Sequence, residues 1–153
     1  MTEQKLRLIH STNGLESAVR ILKQGIQSPK VTGVGISYSC SVPDKIFLLV
    51  KQCSAKTVWG DYHFVLDNDY VKAFSHQFRV HADLDSDNAF EFAERFGIKP
   101  YEGNFCMSAY DQIISLSSIP VGGLRELAVE SLTEEERRVI EEVLPEHMKI
   151  SKI

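Results

Sequence analysis

The chain has 153 residues, 43% of them hydrophobic and 25% charged, with a formal net charge of -4. That length suffices for one domain burying about two thirds of its unfolded surface, and no apolar run reaches the roughly 18 residues that span a bilayer. The acidic balance argues against a nonspecific electrostatic grip on nucleic acid, which needs clustered lysine and arginine to neutralise several phosphates.

The opening "MTEQKLRLIH" lacks the basic and apolar regions of a secretory signal, so a cytoplasmic setting is expected. Within it, Leu6, Leu8 and His10 alternate with Arg7 and Ile9, the period of two that marks a strand. Leu15, Ala18, Val19 and Leu22 then recur at helical spacing. Thr12 or Asn13 is placed to cap that helix, and Gly25 suits the left-handed residue just past its end.

After Pro29, "VTGVGISYS", "KIFLLV" from Lys45 and "WGDYHFVLD" from Trp59 read as strands separated by turn residues, with Asp67-Asn68-Asp69 closing the third. A loop leads into a helix from about Ala89 to Phe96, stopped by Gly97 and Pro100. Strands follow at Gln112 to Ile119, ended by Pro120, and at Leu124 to Val129. The C-terminal "LTEEERRVIEEVLPE" is a helix with Thr133 and Glu136 at capping-box spacing and an apolar stripe of Val139, Ile140 and Val143. The whole, residues 1–153, predicts one α+β domain with a largely antiparallel sheet and peripheral helices, in which 132–144 is a packing helix or an interface.

Several chemical patterns in the sequence fall short of a site. Cys40, Cys53 and Cys106 are odd in number, widely spaced and without a C-x-x-C, so neither a disulfide framework nor a zinc site is indicated. Cys40 has neighbours, Ser39 and Ser41, that give no reason for a lowered thiol pKa. His63, His76 and His81 are too dispersed for metal spacing, and His63 is expected to pack at a sheet edge. Asp83 to Glu94 places acids at positions one, three, five and twelve of a calcium-loop template, but Asn88 stands at the glycine position and no entering helix precedes it. A solvated acidic loop is the simpler reading, and no metal is expected. "GVGISY" is not a dinucleotide fingerprint, because Tyr38 occupies the third glycine position.

The stretch with the most chemistry is Leu8 to Ile26. A helix N-terminus offers unpaired N–H groups and a partial positive charge to phosphate or ribose oxygens, and His10, Ser11 and Thr12 stand directly before one. Two readings are open there: His10 meets a ligand, or it ties strand to loop while Thr12 only caps the helix.

The order Leu8-Ile9-His10-Ser11-Thr12-Asn13, followed by "LKQGI", resembles the first motif of the ADP-ribosyltransferase-like families. These include the poly(ADP-ribose) polymerases, the tRNA 2′-phosphotransferases and the DarT-like DNA ADP-ribosyltransferases. "GVGISYS" (Gly33 to Ser39) is similar to their second block, "WGDYHFVLDNDYV" (Trp59 to Val71) to a DarT-like strand, and "DQIISLSSIPVGGLRELAV" (Asp111 to Val129) to the closing strand and turn. The blocks run from about Leu6 to Val129 in the expected order.

The resemblance implies an ADP-ribosyltransferase-like fold, an antiparallel split sheet with peripheral helices, in a divergent phage or bacterial member. It implies NAD as cofactor, bound by His10, Ser11, Thr12, Asn13, Ser37 and Tyr38, with His10 on ribose hydroxyls and Tyr38 on the nicotinamide ring. Ser37, Tyr38 or Ser39 is the residue facing the ligand, and Tyr62 is a candidate second aromatic. The implied activity is mono-ADP-ribosyl transfer to a protein or nucleic-acid acceptor, with His10, Tyr38 and Gln112 as the catalytic set. Gln112 stands where the family has its catalytic glutamate, which loses the charge that stabilises the oxocarbenium-like centre. Asp111 can replace it only through a bulge, and Glu102 is a second stand-in on a loop. The departure at Gln112 leaves two alternatives: a catalytically degenerate NAD- or ADP-ribose-binding protein, and a ligand-free interaction module using the acidic C-terminal helix.

Overall fold

A computed structural model describes residues 6–27, 46–52, 61–81, 87–102 and 112–152. Strand β1 (Leu6–Thr12) lies inside an eight-stranded sheet, flanked by β2 (Ile46–Gln52) and β3 (Tyr62–Leu66). The others are β4 (Phe78–Val80), β5 (Lys99–Pro100), β6 (Gln112–Ser115), β7 (Leu124–Val129) and β8 (Lys149–Lys152), in the order β5-β4-β6-β2-β1-β3-β7-β8. The pairs β4–β5 and β7–β8 are parallel and the other neighbours antiparallel. The mixed α and β content and the mainly antiparallel sheet agree with the sequence reading. No break in pairing divides these strands into two halves, because β2 joins β1 to β6 along continuous registers.

Alternation sorts the sheet into two unlike faces. One carries Leu6, Leu8, Leu48, Val50, Phe64, Ile113 and Leu127, all buried in a single apolar cluster. Helices α1 (Leu15–Gln24), α3 (Asp87–Phe96) and α4 (Glu134–Val143) add Ala18, Ile21, Leu22, Ala89, Phe92, Ala93 and Ile140 to that cluster. Each large side chain fully buried there, such as Phe64 or Phe92, contributes about 1.5–3 kcal/mol. The opposite face carries Arg7, Ile9, Ser11, His63, Val65, Gln112, Ile114 and Glu126, where polar side chains are interleaved with apolar ones.

Helix α1 corrects one detail of the sequence reading. Neither Thr12 nor Asn13 caps it. Strand β1 continues through Thr12, which pairs with Tyr62, so the helix opens later, at Gly14 (φ 88°), without a side-chain cap. At its other end Gly25 (φ 80°) ends the helix as expected, and Ile26 forms a bridge with Ile119. Asp67 does more than close β3: its carboxylate accepts from the Asp69 N–H and caps a short helix, α2 (Asn68–Ala73). Helix α4 has the expected capping box, with the Glu136 N–H donating to Thr133 Oγ1 and the Thr133 N–H to Glu136 Oε1.

The strand expected over Gln112 to Ile119 is shorter, and the reason is the buried Gln77. Its Nε2 donates to Ser115 Oγ (2.9 Å) and toward the carbonyls of Ser117 (3.3 Å) and Ser118 (3.2 Å), and its own carbonyl accepts from the Leu116 N–H. These bonds draw the chain into a bend after Ser115, so alternation stops there. Strands β4, β5 and β8 were not anticipated, being too short to show alternation. The expected strand at Val31 to Ser39, the three cysteines, Trp59, Asp83 and Asp85 lie outside the described residues. Among the described residues no helix is long and apolar enough to cross a membrane.

Candidate functional site

The antiparallel register sets His10 beside Phe64 and Thr12 beside Tyr62, so His10 and Thr12 share the face that α1 and α4 cover. Both are half-buried and sit at the end of β1. The turn after them is held by Asp61, whose N–H donates to the Thr12 carbonyl (3.1 Å) and to Asn13 Oδ1 (3.1 Å). Asn13 therefore tethers the start of β3, a role the sequence did not suggest. Ser11, one residue from His10 and Thr12, points to the other face and shares a 2.7 Å hydrogen bond with Nδ1 of the buried His63. His63 accordingly packs within the sheet, between β1 and β7, and not at its edge.

Gln112 opens β6 and stands in register with Leu49, which in turn faces Ile9. His10 is one residue beyond Ile9, so it projects from the opposite face to Gln112. Two inter-strand spacings, about 10 Å in total, also separate β6 from β1. A glutamine side chain cannot reach across that distance and through the sheet. The structure instead engages Gln112 locally: its Oε1 lies 3.1 Å from His81 Nδ1, and its backbone carbonyl accepts from the His81 N–H. With the amide oxygen as acceptor, His81 carries its proton on Nδ1. His81 is buried and meets the Tyr101 ring edge-on at 6.4 Å. Glu102 is exposed at the end of that segment, and Ser37, Tyr38 and Asp111 lie outside the described residues.

Tyr62 completes the His10–Thr12 end in a way the sequence could not reveal. Its hydroxyl donates to Glu136 Oε2 at 2.9 Å, linking β3 to the first turn of α4 across 74 positions. Burial, then the bond to and charge of Glu136, then the charge of Asp61, push its pKa up to about 12. Glu136 is held below the ordinary carboxylate range, first by the Thr133 N–H and then by the Tyr62 hydroxyl.

A stability consequence follows with a definite sign. The folded Tyr62 holds its proton more tightly than the unfolded chain, whose tyrosine titrates near pH 10. The stabilisation is whole below pH 10 and is lost between about pH 10 and 12. Urea denaturation of wild type and Tyr62→Phe at pH 8 and pH 11.5 should show the wild type losing more stability than the variant. Equal losses would refute the assignment.

No group of three His, Cys, Asp or Glu among the described residues is arranged to hold a metal ion. Compared with known proteins, the chain matches no protein-family model, and no curated protein matches it significantly. The site's chemistry therefore has to be read from its own residues. An imidazole and a hydroxyl share one face at the end of β1, beside the N-terminus of a ten-residue helix. Together they can hydrogen-bond vicinal hydroxyls or an amide. No carboxylate of β6 shares that face to stabilise a developing cation.

Proposed function

We propose that this chain is an ADP-ribosyltransferase-like domain that binds NAD or ADP-ribose at the His10–Thr12 end of β1 and does not transfer ADP-ribose. The observation that carries the binding-only reading is the position of Gln112. It lies on the opposite face of the sheet from His10, engaged with His81. In a transferase of this kind the histidine and the group at that position meet one bound NAD, and the negative charge supplies several kcal/mol at the anomeric carbon. Here both the charge and the shared face are missing.

The ligand-binding half of the reading draws support from how the resembling blocks meet. Ile26, closing "LKQGI", is bridged to Ile119 of "SIPVGGL" by reciprocal backbone hydrogen bonds of 2.8 Å each. His10 and Thr12 are half-buried and share one face, as residues contacting a single ribose and nicotinamide would be.

Calorimetric titration with NAD and with ADP-ribose tests the proposal. Wild type should bind both, and His10→Ala should weaken binding about tenfold, the worth of roughly one net hydrogen bond. No nicotinamide should be released on prolonged incubation with NAD. Release that Gln112→Ala abolishes would replace this reading by the transferase, whose acceptor would be a protein or nucleic acid. Absence of binding at millimolar ligand would reject the nucleotide site itself.

A further inference from the structure

Arg7 is the most conspicuous unexplained side chain of the polar face. It is 4% exposed, yet its Nε and Nη1 are buried without a hydrogen-bond partner. None of the ion pairs among the described residues includes it; they are helix-surface pairs of Arg20, Arg95 and Arg137. A guanidinium cannot shed its proton to escape burial. An uncompensated buried charge is among the most destabilising features a fold can carry.

A second buried polar group, bonded to the backbone of the preceding residue, is also incomplete. Asn68 donates through Nδ2 to the carbonyl of Leu6, the residue preceding Arg7, and its Oδ1 is buried without a partner. Hydrogen phosphate, a phosphate ester or a carboxylate carries the anionic oxygens that the guanidinium donors lack.

We propose that Arg7 forms an oxyanion-binding site on the polar face of the sheet, taking a phosphoryl or carboxylate group of a ligand. Arg7 projects from the face opposite His10, so the site is distinct from the nucleotide site proposed above and does not depend on it. Arginine suits the role because its planar donors match the oxygen spacing of both kinds of anion.

The test is thermal unfolding of the full chain in a phosphate-free buffer, titrated at constant ionic strength with phosphate, pyrophosphate or malonate, and with chloride as control. Wild type should show a saturable rise in Tm with at least one oxyanion, about 3–6 °C at ten times Kd for a chain of this size. The tighter series, phosphoryl or dicarboxylate, names the ligand class. Arg7→Met should abolish the rise, and without anion its Tm should equal or exceed that of wild type, since a buried unpaired charge has been removed. Should Arg7→Met not fold, Arg7→Lys, which keeps the charge but not the planar donors, should raise the half-saturating concentration tenfold or more. The proposal is overturned if no oxyanion differs from chloride on wild type, if Arg7→Met responds as wild type does, or if Arg7→Lys binds unchanged.

Discussion

Gly25→Ala is expected to destabilise the fold by about 3–5 kcal/mol, the largest loss from adding a methyl group at any of the described glycines. Gly25 sits at φ 80° and ψ -177°, a region open in practice only to glycine and costing other residues about 1–3 kcal/mol. An added Cβ would lie 2.3 Å from the Ile119 carbonyl oxygen and 3.0 Å from Pro120 Cα. Both obstacles are backbone, so neither can swing aside. Relief requires the Ile26–Ile119 bridge to open, and its two hydrogen bonds are worth about 0.5–1.5 kcal/mol each. Gly97→Ala is the internal control. Gly97 also has a positive φ, 70°, but nothing lies within 4 Å of its added Cβ, so about 1 kcal/mol is expected. Chemical denaturation of the two variants separates backbone strain from collision, and similar losses would show that the contact with Ile119 does not matter.

The second large effect is at Gln77. Gln77→Ala should cost about 2–4 kcal/mol, because it removes one side chain that serves several buried partners. The amide donates to Ser115 Oγ and to the carbonyls of Ser117 and Ser118, while its oxygen accepts from the Tyr70 hydroxyl at 2.9 Å. Burial holds the pKa of Tyr70 above its ordinary value. Without Gln77 the Tyr70 hydroxyl loses its acceptor, and the bend at 116–118 loses the donor that orients it. Ser115 keeps its own 2.6 Å bond to the Ser117 carbonyl, so β6 should stay folded in the variant. A double-mutant cycle with Tyr70→Phe should give a coupling of about 1 kcal/mol. Strict additivity would mean that the two side chains act independently.

These positions illustrate which parts of the molecule were legible in the residues. The first strand was readable because Leu6, Leu8 and His10 alternate with Arg7 and Ile9. Helix α4 was readable because Thr133 and Glu136 stand three apart before an apolar stripe. Leu124 to Val129 is a strand with those bounds. Each signal is local: a cap, a period, a glycine with positive φ. Gln77 carried no such signal, since its partners lie some forty residues away. Nor did Arg7, which in the sequence is merely the charged member of an alternating pair.

By itself the sequence indicated the longer strands and helices, because capping and apolar periodicity act within a few residues, but not the short strands β4, β5 and β8 or helix α2. It also placed His10 and Thr12 at a strand end before a helix. Only the tertiary structure decided that β2 stands between β1 and β6, and hence that Gln112 and His10 face opposite sides. Strand order follows from which faces bury best against which helices. A one-residue change of register turns every side chain of a strand to the other face, and that choice is made by packing between segments far apart in the chain.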